Sequence, residues 1–241
     1  MAFRGNPIDP GPLARFTREL RSLVDKRYRR ASRALRNLPR IEYRTLVDAG
    51  AHRGAFTDAF LELHRPSRVI LVEPTPELAE RLKKQFDERP GFLVVEAALS
   101  DTNGEANFEI NQSDASSSLL KIDKRNSDWF GLDLRVARTI GVPTLTLPRL
   151  MEMQQLHEID LLKLDLQGAE RLVLTAAEAV LGRIAVIYSE VFFERLYESA
   201  WLFDEMNDYL AARGFKLCGL SNLVHARDGS LLQANATFRR M

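Results

Sequence analysis

The sequence predicts a doubly wound α/β fold: a Rossmann-like, mostly parallel seven-stranded sheet with a terminal antiparallel hairpin, preceded by an N-terminal helix. Three observations carry that expectation. From residue 41 onward, strand-like and helix-like patterns alternate, the βαβ grammar of a sheet covered on both faces. The apolar run Thr45-Leu-Val-Asp-Ala-Gly-Ala-His-Arg-Gly54 enters a glycine turn, and Glu73 follows Gly54 by nineteen positions. That spacing presents a carboxylate to the ribose hydroxyls of a nucleotide-like cofactor. Finally, only the loop Ser221 to Leu232 separates the last two strand-like segments. It is too short for a helical crossover, so the two should pair antiparallel.

Strands are expected near 45–48, 69–73, 92–96, 105–110, 161–165, 185–190, 215–220 and 234–239, each a short apolar run bounded by turn residues. Helices are expected near 54–64, 76–88, 168–181 and 199–213, the last ending at Gly214 as helix C-termini often do. Two regions follow: a basic amphipathic extension over 1–40 and one α/β domain over 41–241.

A chain of 241 residues, 45% of them hydrophobic, suits one such domain with a real core. No apolar run is long enough to span a bilayer and the first thirty residues lack a secretion signal, so a cytoplasmic protein is expected. The lone Cys218 sits in a strand-like run and is expected to be a buried, inert thiol. The net charge of +1 hides an asymmetry: residues 13–40 hold ten basic side chains against Glu19 and Asp25. Leu13, Phe16, Leu20, Leu23 and Leu35 form an apolar stripe beside that cationic face. Packing on the domain, packing on a second copy as a homodimer, and contact with an anionic membrane surface or glycolipid all fit this pattern. Nucleic acid fits it least, because no stacking aromatics apart from Tyr28 are interleaved.

The glycine turn separates two cofactor classes. Dinucleotide enzymes use G-x-G-x-x-G because a diphosphate must approach the backbone. Here the turn reads Gly50-Ala-His-Arg-Gly54, and His52 crowds the second glycine position. S-adenosylmethionine carries no phosphate. Asp48 and the turn backbone can meet its amino-acid end, while Glu73, with Pro74 shaping the following turn, takes the ribose diol. An otherwise parallel sheet closed by a hairpin is also the layout of class I methyltransferases.

Four strings carry a more specific likeness: Val47-Asp-Ala-Gly-Ala-His-Arg-Gly-Ala-Phe-Thr57; Glu73-Pro74; Ala97-Ala-Leu-Ser-Asp101 with Gly104; and Leu162-Lys-Leu-Asp-Leu-Gln-Gly-Ala-Glu170. Over roughly residues 45–240 the chain resembles the FkbM-type S-adenosylmethionine-dependent methyltransferases. The resemblance implies methyl transfer, usually to a hydroxyl of a sugar, glycan or polyketide. It adds Ala98, and Ser117 of the serine-rich run, to the cofactor-binding set of Asp48, Gly50, His52, Gly54, Glu73 and Pro74. The chain departs from the family at three places: asparagine is usual at His52, glutamate at Gln167, and Leu-Asp at Leu147-Pro148.

Chemistry constrains the fourth string. Asp165 should lie at the carboxyl edge of the sheet, where open α/β folds bind ligands. Lys163, two residues earlier, points to the same face, and Glu190 ends the neighbouring strand. Methylating a hydroxyl is an in-line displacement that needs the acceptor oxygen held in place and its proton removed. Asp165 or Glu190 suits that proton, and Lys163 suits orienting a substrate oxygen or pairing with the carboxylates. A buried ion-pair network is the structural alternative, and for Glu170 dipole-favoured capping stands beside a catalytic role. The scattered His52, His64, His157 and His225 lack zinc-ligand spacing; magnesium, if used, would take Asp165 and Glu190.

Residues 111–141 look the most irregular, a lid candidate whose Trp129 and Phe130 offer a sugar-stacking face. Phe192, Phe193, Tyr197 and Trp201 suit either an acceptor pocket or the core. The reading is therefore an O-methyltransferase acting on a sugar, glycan or glycosylated metabolite. The alternatives are methylation of a polyketide or other small natural product, a cofactor-binding protein without catalysis, and a nicotinamide dehydrogenase.

Overall fold

The computed structural model describes residues 35–86, 88–123 and 134–241. Residues 13–34 of the expected amphipathic helix and the pair Trp129 and Phe130 lie outside the described residues, and with them most of the segment expected to meet a membrane or a second copy. In chain order the elements are β1 (Thr45–Ala49), α1 (Ala55–Leu63), β2 (Arg68–Val72), α2 (Pro76–Phe86), β3 (Phe92–Val95), β4 (Ala98–Leu99) and β5 (Gly104–Asn111). Then follow β6 (Val136–Leu145), α3 (Leu147–Met153), β7 (Ile159–Leu164), α4 (Glu170–Ala176), β8 (Ile184–Phe192), α5 (Phe203–Ala211), β9 (Phe215–His225) and β10 (Leu231–Arg240).

Seven strands form the main sheet in the order β3-β2-β1-β7-β8-β10-β9. β1, β2, β3, β7 and β8 run parallel, while β10 pairs antiparallel with both β8 and β9. The hairpin thus closes the sheet, with β9 on the edge. The central strands are Leu, Val and Ile runs buried on both faces, as parallel strands between helical layers must be. On one face Leu46, Leu71 and Leu161 pack against Phe56 and Phe60 of α1 and Phe86 of α2. On the other, Val47, Ile70 and Leu162 meet residues of α3, α4 and α5. Fully burying one such side chain contributes roughly 1.5–3 kcal/mol. Leu35 and Leu38 join the first cluster, so the described end of the N-terminal extension is packed on the domain.

Register across the sheet assembles the site. Asp48 lies beside Lys163, Lys163 beside Tyr188, and Tyr188 beside Thr237. Side-by-side residues share a face, so a polar row crosses four strands inside an otherwise apolar sheet. Glu190 and Asn235 form the next row, opposite one another.

Several details depart from the sequence reading. The expected strand 105–110 belongs to a separate three-stranded sheet, β4-β6-β5, whose member β6 lies partly in the region read as irregular. α3 was not expected; the Thr146 hydroxyl accepts the Arg149 N–H at 3.3 Å to cap it. Pro148 occupies its first turn, where the missing N–H costs nothing. The expected helix 168–181 is split into α4 and a 3₁₀ turn over Glu178–Arg183. α5 begins only at Phe203, where the Glu205 carboxylate accepts the Leu202 N–H at 2.8 Å. Cys218 is exposed rather than buried, because edge strand β9 has a neighbour on one side only. No helix among the described residues is long and apolar enough to cross a membrane.

Candidate active site

β1, β2, β7 and β8 all end at one edge of the sheet, and a cavity of about 520 Å³ opens there. One wall is the glycine turn with Glu73 and Pro74; the other is Asp165, Gln167 and Glu190 with the β9–β10 hairpin.

The first wall is built largely from backbone. The N–H groups of Gly50 and Ala51 both donate to the Val72 carbonyl, at 3.0 and 3.1 Å, tying the turn to β2. Gly50 has φ +72°, and a Cβ there would lie 2.0 Å from the Asp165 carbonyl oxygen. Only glycine permits that approach. At Gly54, φ +77°, a Cβ would press on the Phe86 ring at 2.9 Å. Glu73 is nearly buried, and its two oxygens accept the His52 N–H at 2.8 Å and the Thr75 N–H at 2.9 Å. Burial pushes its carboxyl up, and the two N–H bonds oppose that shift. The Thr75 side chain bonds the carboxylate as well. Beside it Pro74, Leu78, Ala98, Leu99 and Phe108 make an apolar wall. A carboxylate fixed next to an apolar slot fits the ribose diol and flat base of S-adenosylmethionine.

Two residues expected to touch the cofactor are engaged elsewhere. Asp48 is fully buried; one oxygen accepts the Thr57 hydroxyl at 2.7 Å and the other lies 3.0 Å from Lys163 Nζ. Its carboxylate is therefore a counter-ion beneath the cavity, paired within the protein on both oxygens. The His52 imidazole faces Asp114 at 3.3 Å, so its backbone N–H, through Glu73, serves the pocket. Ser117 lines the cavity, but its hydroxyl donates back to the Asp114 carbonyl at 2.7 Å.

On the second wall Lys163 is buried. It donates to the carbonyls of Gly50 at 2.7 Å and Ala49 at 3.2 Å and pairs with Asp48. Those contacts match its three N–H groups, and Asp165 stands further off at 3.7 Å. Burial alone would disfavour the ammonium, but the Asp48 and Asp165 charges outweigh it and hold its pKa above the usual value. Lys163 is thus a fixed cation, with pairing rather than substrate orientation as its visible part. Asp165 has a side chain 42% exposed. Gln167 donates to Asp165 Oδ1 at 2.8 Å and to Glu190 Oε2 at 2.7 Å, and accepts the Tyr197 hydroxyl at 2.9 Å. The Asp165 carboxylate can be met only by the NH₂ end of the amide, which fixes its orientation. The other oxygen of Glu190 accepts from Gln233. Burial, then the charges of Asp165 and Glu170, push the Glu190 carboxyl well above the usual carboxylate range. Glu170 accepts the Leu166 N–H at 2.7 Å and secures the loop from below.

The serine-rich segment covers the junction. Arg53 donates to Asp114 at 2.6 Å, the Ser118 hydroxyl to the Gln167 carbonyl at 2.8 Å, and the Tyr197 hydroxyl lies 2.9 Å from the Ser116 carbonyl. Phe192 and Tyr197 pack in a core cluster with Leu134, Leu196 and Ala200. Phe193 and Trp201 flank the main core. Among the described residues no group of three or more His, Cys, Asp or Glu is arranged to hold a metal ion. The sequence reading missed Gln167 as a link between carboxylates, and Asn222, Gln233 and Asn235 altogether. A signal existed in Gln233-Ala-Asn-Ala-Thr237, where polar residues alternate with alanine at the period of a strand.

Sheet order, terminal hairpin and cavity position define a class I methyltransferase fold. The chain belongs to the FkbM methyltransferase family: the methyltransferase FkbM domain matches residues 48–217. It is 28% identical over 160 residues to the 2-O-methyltransferase NoeI of Sinorhizobium fredii, covering 64% of this chain and 65% of that protein. It is 29% identical over 126 residues to an ornithine lipid N-methyltransferase of Singulisphaera acidiphila, covering 52% of this chain and 66% of that protein. The matches thus span just under two thirds of either relative's length. In fold it is similar to the crystal structure of methyltransferase FkbM from Methylobacillus flagellatus, with TM-score 0.51 and 13% identity over 84% of this chain and 45% of that one.

Proposed function

We propose that this protein is an S-adenosylmethionine-dependent O-methyltransferase acting on a hydroxyl of a sugar, glycan or glycosylated metabolite. The observation that carries the reading is one cavity holding both Glu73, fixed by two N–H groups, and the acid–amide cluster of Asp165, Gln167 and Glu190. Glu73 would hold the ribose diol, and Pro74, Leu78, Ala98 and Leu99 the base. S-adenosylmethionine, when bound, supplies an electrophilic methyl carbon on a sulfonium.

Asp165 is the proton acceptor in this reading. Its Oδ1 is held by Gln167, its side chain reaches the cavity, and Oδ2 would take the proton of the acceptor hydroxyl as that oxygen gains the methyl group and the methyl–sulfur bond breaks, the thioether leaving as S-adenosylhomocysteine. Glu190, buried and held between two amides, keeps its proton to higher pH and orients the acceptor. Lys163 positions rather than reacts: it clamps the glycine turn to β7 through Ala49, Gly50 and Asp48.

A second reading, methyl transfer to an amine, is favoured by the paired carboxylates, which would also seat an ammonium. One experiment separates the two. Purified protein is given methyl-labelled S-adenosylmethionine with a panel of glycans and glycolipids and a panel of amino lipids, and products are read by mass spectrometry. Labelled glycoside ethers that vanish with Asp165→Asn support the proposal; label only on amines favours the second reading; no transfer to either panel counts against both.

A further inference from the structure

We propose that the β9–β10 hairpin carries an acceptor subsite that reads hydroxyl groups: the amides of Asn222, Gln233 and Asn235 bind neighbouring hydroxyls of a pyranose whose target hydroxyl meets Asp165. The inference rests on the carbohydrate reading above and names the residues that select the acceptor.

Register places the three amides. Asn235 lies opposite Glu190 on β8 and opposite Ser221 on β9, and Gln233, two residues along β10, shares its face. Between the pairs Gln233 with Val224 and Asn235 with Ser221, β10 advances two residues and β9 three. The extra residue is a β-bulge, and bulges re-aim side chains beside active sites. Asn222 sits in it with φ +53°, a conformation asparagine tolerates better than most residues. All three amides, with Val224, line the cavity.

Most of their hydrogen-bonding capacity is unspent. The NH₂ of Gln233 serves Glu190, while its carbonyl oxygen and the whole amides of Asn222 and Asn235 have no hydrogen-bond partner among the described residues. All three residues are half-buried. An amide offers a donor and an acceptor side by side, and a hydroxyl is both; a vicinal diol therefore fits a pair of amides, and Val224 offers a surface to the ring C–H groups. An aliphatic or flat polyketide acceptor would desolvate these amides without replacing their bonds, which disfavours it.

The test uses the full chain saturated with S-adenosylhomocysteine and a panel of methyl pyranosides differing in one hydroxyl each, with binding read by saturation-transfer NMR. Asn222→Gly keeps the positive φ while deleting the amide; Asn235→Ala and the milder Asn235→Ser delete or shorten the second. The expected result is that at least one pyranoside binds the unaltered protein and weakens roughly tenfold in Asn222→Gly/Asn235→Ala, the loss of one or two hydrogen bonds. Calorimetric affinity for S-adenosylhomocysteine should stay within about twofold, the check that the fold is intact. Equal pyranoside binding by both proteins would overturn the subsite and leave the carbohydrate reading standing. No pyranoside binding by the unaltered protein, with the cofactor product still bound, would overturn the carbohydrate reading and the subsite with it.

Discussion

The two walls of the cavity are made differently. The Glu73 wall comes from two contiguous strings, 48–54 and 73–75, and its working groups are backbone N–H donors and one carboxylate. The opposite wall gathers side chains from 165–167, 190, 222 and 233–235, segments that meet only through strand pairing. A local strand-turn unit can keep one cofactor geometry while the far wall changes with the acceptor. Asp48, Lys163 and Gly50 sit between the walls and bind them into one site.

That division can be broken at the junction first. Gly50→Ala should be the most damaging change: strain at positive φ costs ~1–3 kcal/mol, and crowding against the Asp165 carbonyl adds ~1–3 kcal/mol. Gly182→Ala, where a Cβ meets nothing within 4 Å, should stay within ~0.5 kcal/mol; denaturant unfolding compares the two. Next, Lys163→Met leaves Asp48 buried without its cation and should cost ~3–5 kcal/mol, with much of the loss recovered by adding Asp48→Asn.

A pH test sharpens the picture of the acidic wall. Burial pushes the Glu170 carboxyl up from 4.5 to about 7. The folded state therefore holds this proton more tightly than the unfolded chain, so its stabilising contribution is complete below about pH 4.5 and is lost as pH rises through about 7. Glu170→Gln keeps an acceptor for the Leu166 N–H, and at pH 8 it should be more stable than the unaltered protein by up to ~3 kcal/mol. Urea unfolding at pH 5 and pH 8 checks the sign. The smallest effect is expected at the serine-rich segment: Arg53→Ala removes a partly exposed ion pair with Asp114 worth ~0.2–1 kcal/mol. It should raise hydrogen exchange over 113–118 with little change in melting temperature.

The Glu73 wall was legible in the sequence because its signals are local: a glycine turn, an acid at fixed spacing, apolar runs of strand length. The terminal hairpin was legible for the same reason. The Asp48–Lys163 pair was not legible because its members lie 115 positions apart, and only the β1–β7 register joins them. Gln167 read as a missing carboxylate until Glu190 and Tyr197 surrounded it. Pro148 read only as a departure from the family pattern until α3 gave it a helix start. The three hairpin amides were invisible as a group because the bulge that brings Asn222 beside Asn235 depends on pairing, not composition. Cys218 was misplaced because a strand-like run does not reveal that it will be an edge.

The most direct test is calorimetric titration of S-adenosylmethionine and, separately, NAD into the full chain, repeated with Glu73→Ala. The account expects S-adenosylmethionine to bind, NAD not to, and the variant to lose at least about tenfold in affinity, the loss of a charge-assisted contact to the ribose diol. Preference for NAD, or binding of S-adenosylmethionine that is indifferent to Glu73, would contradict it.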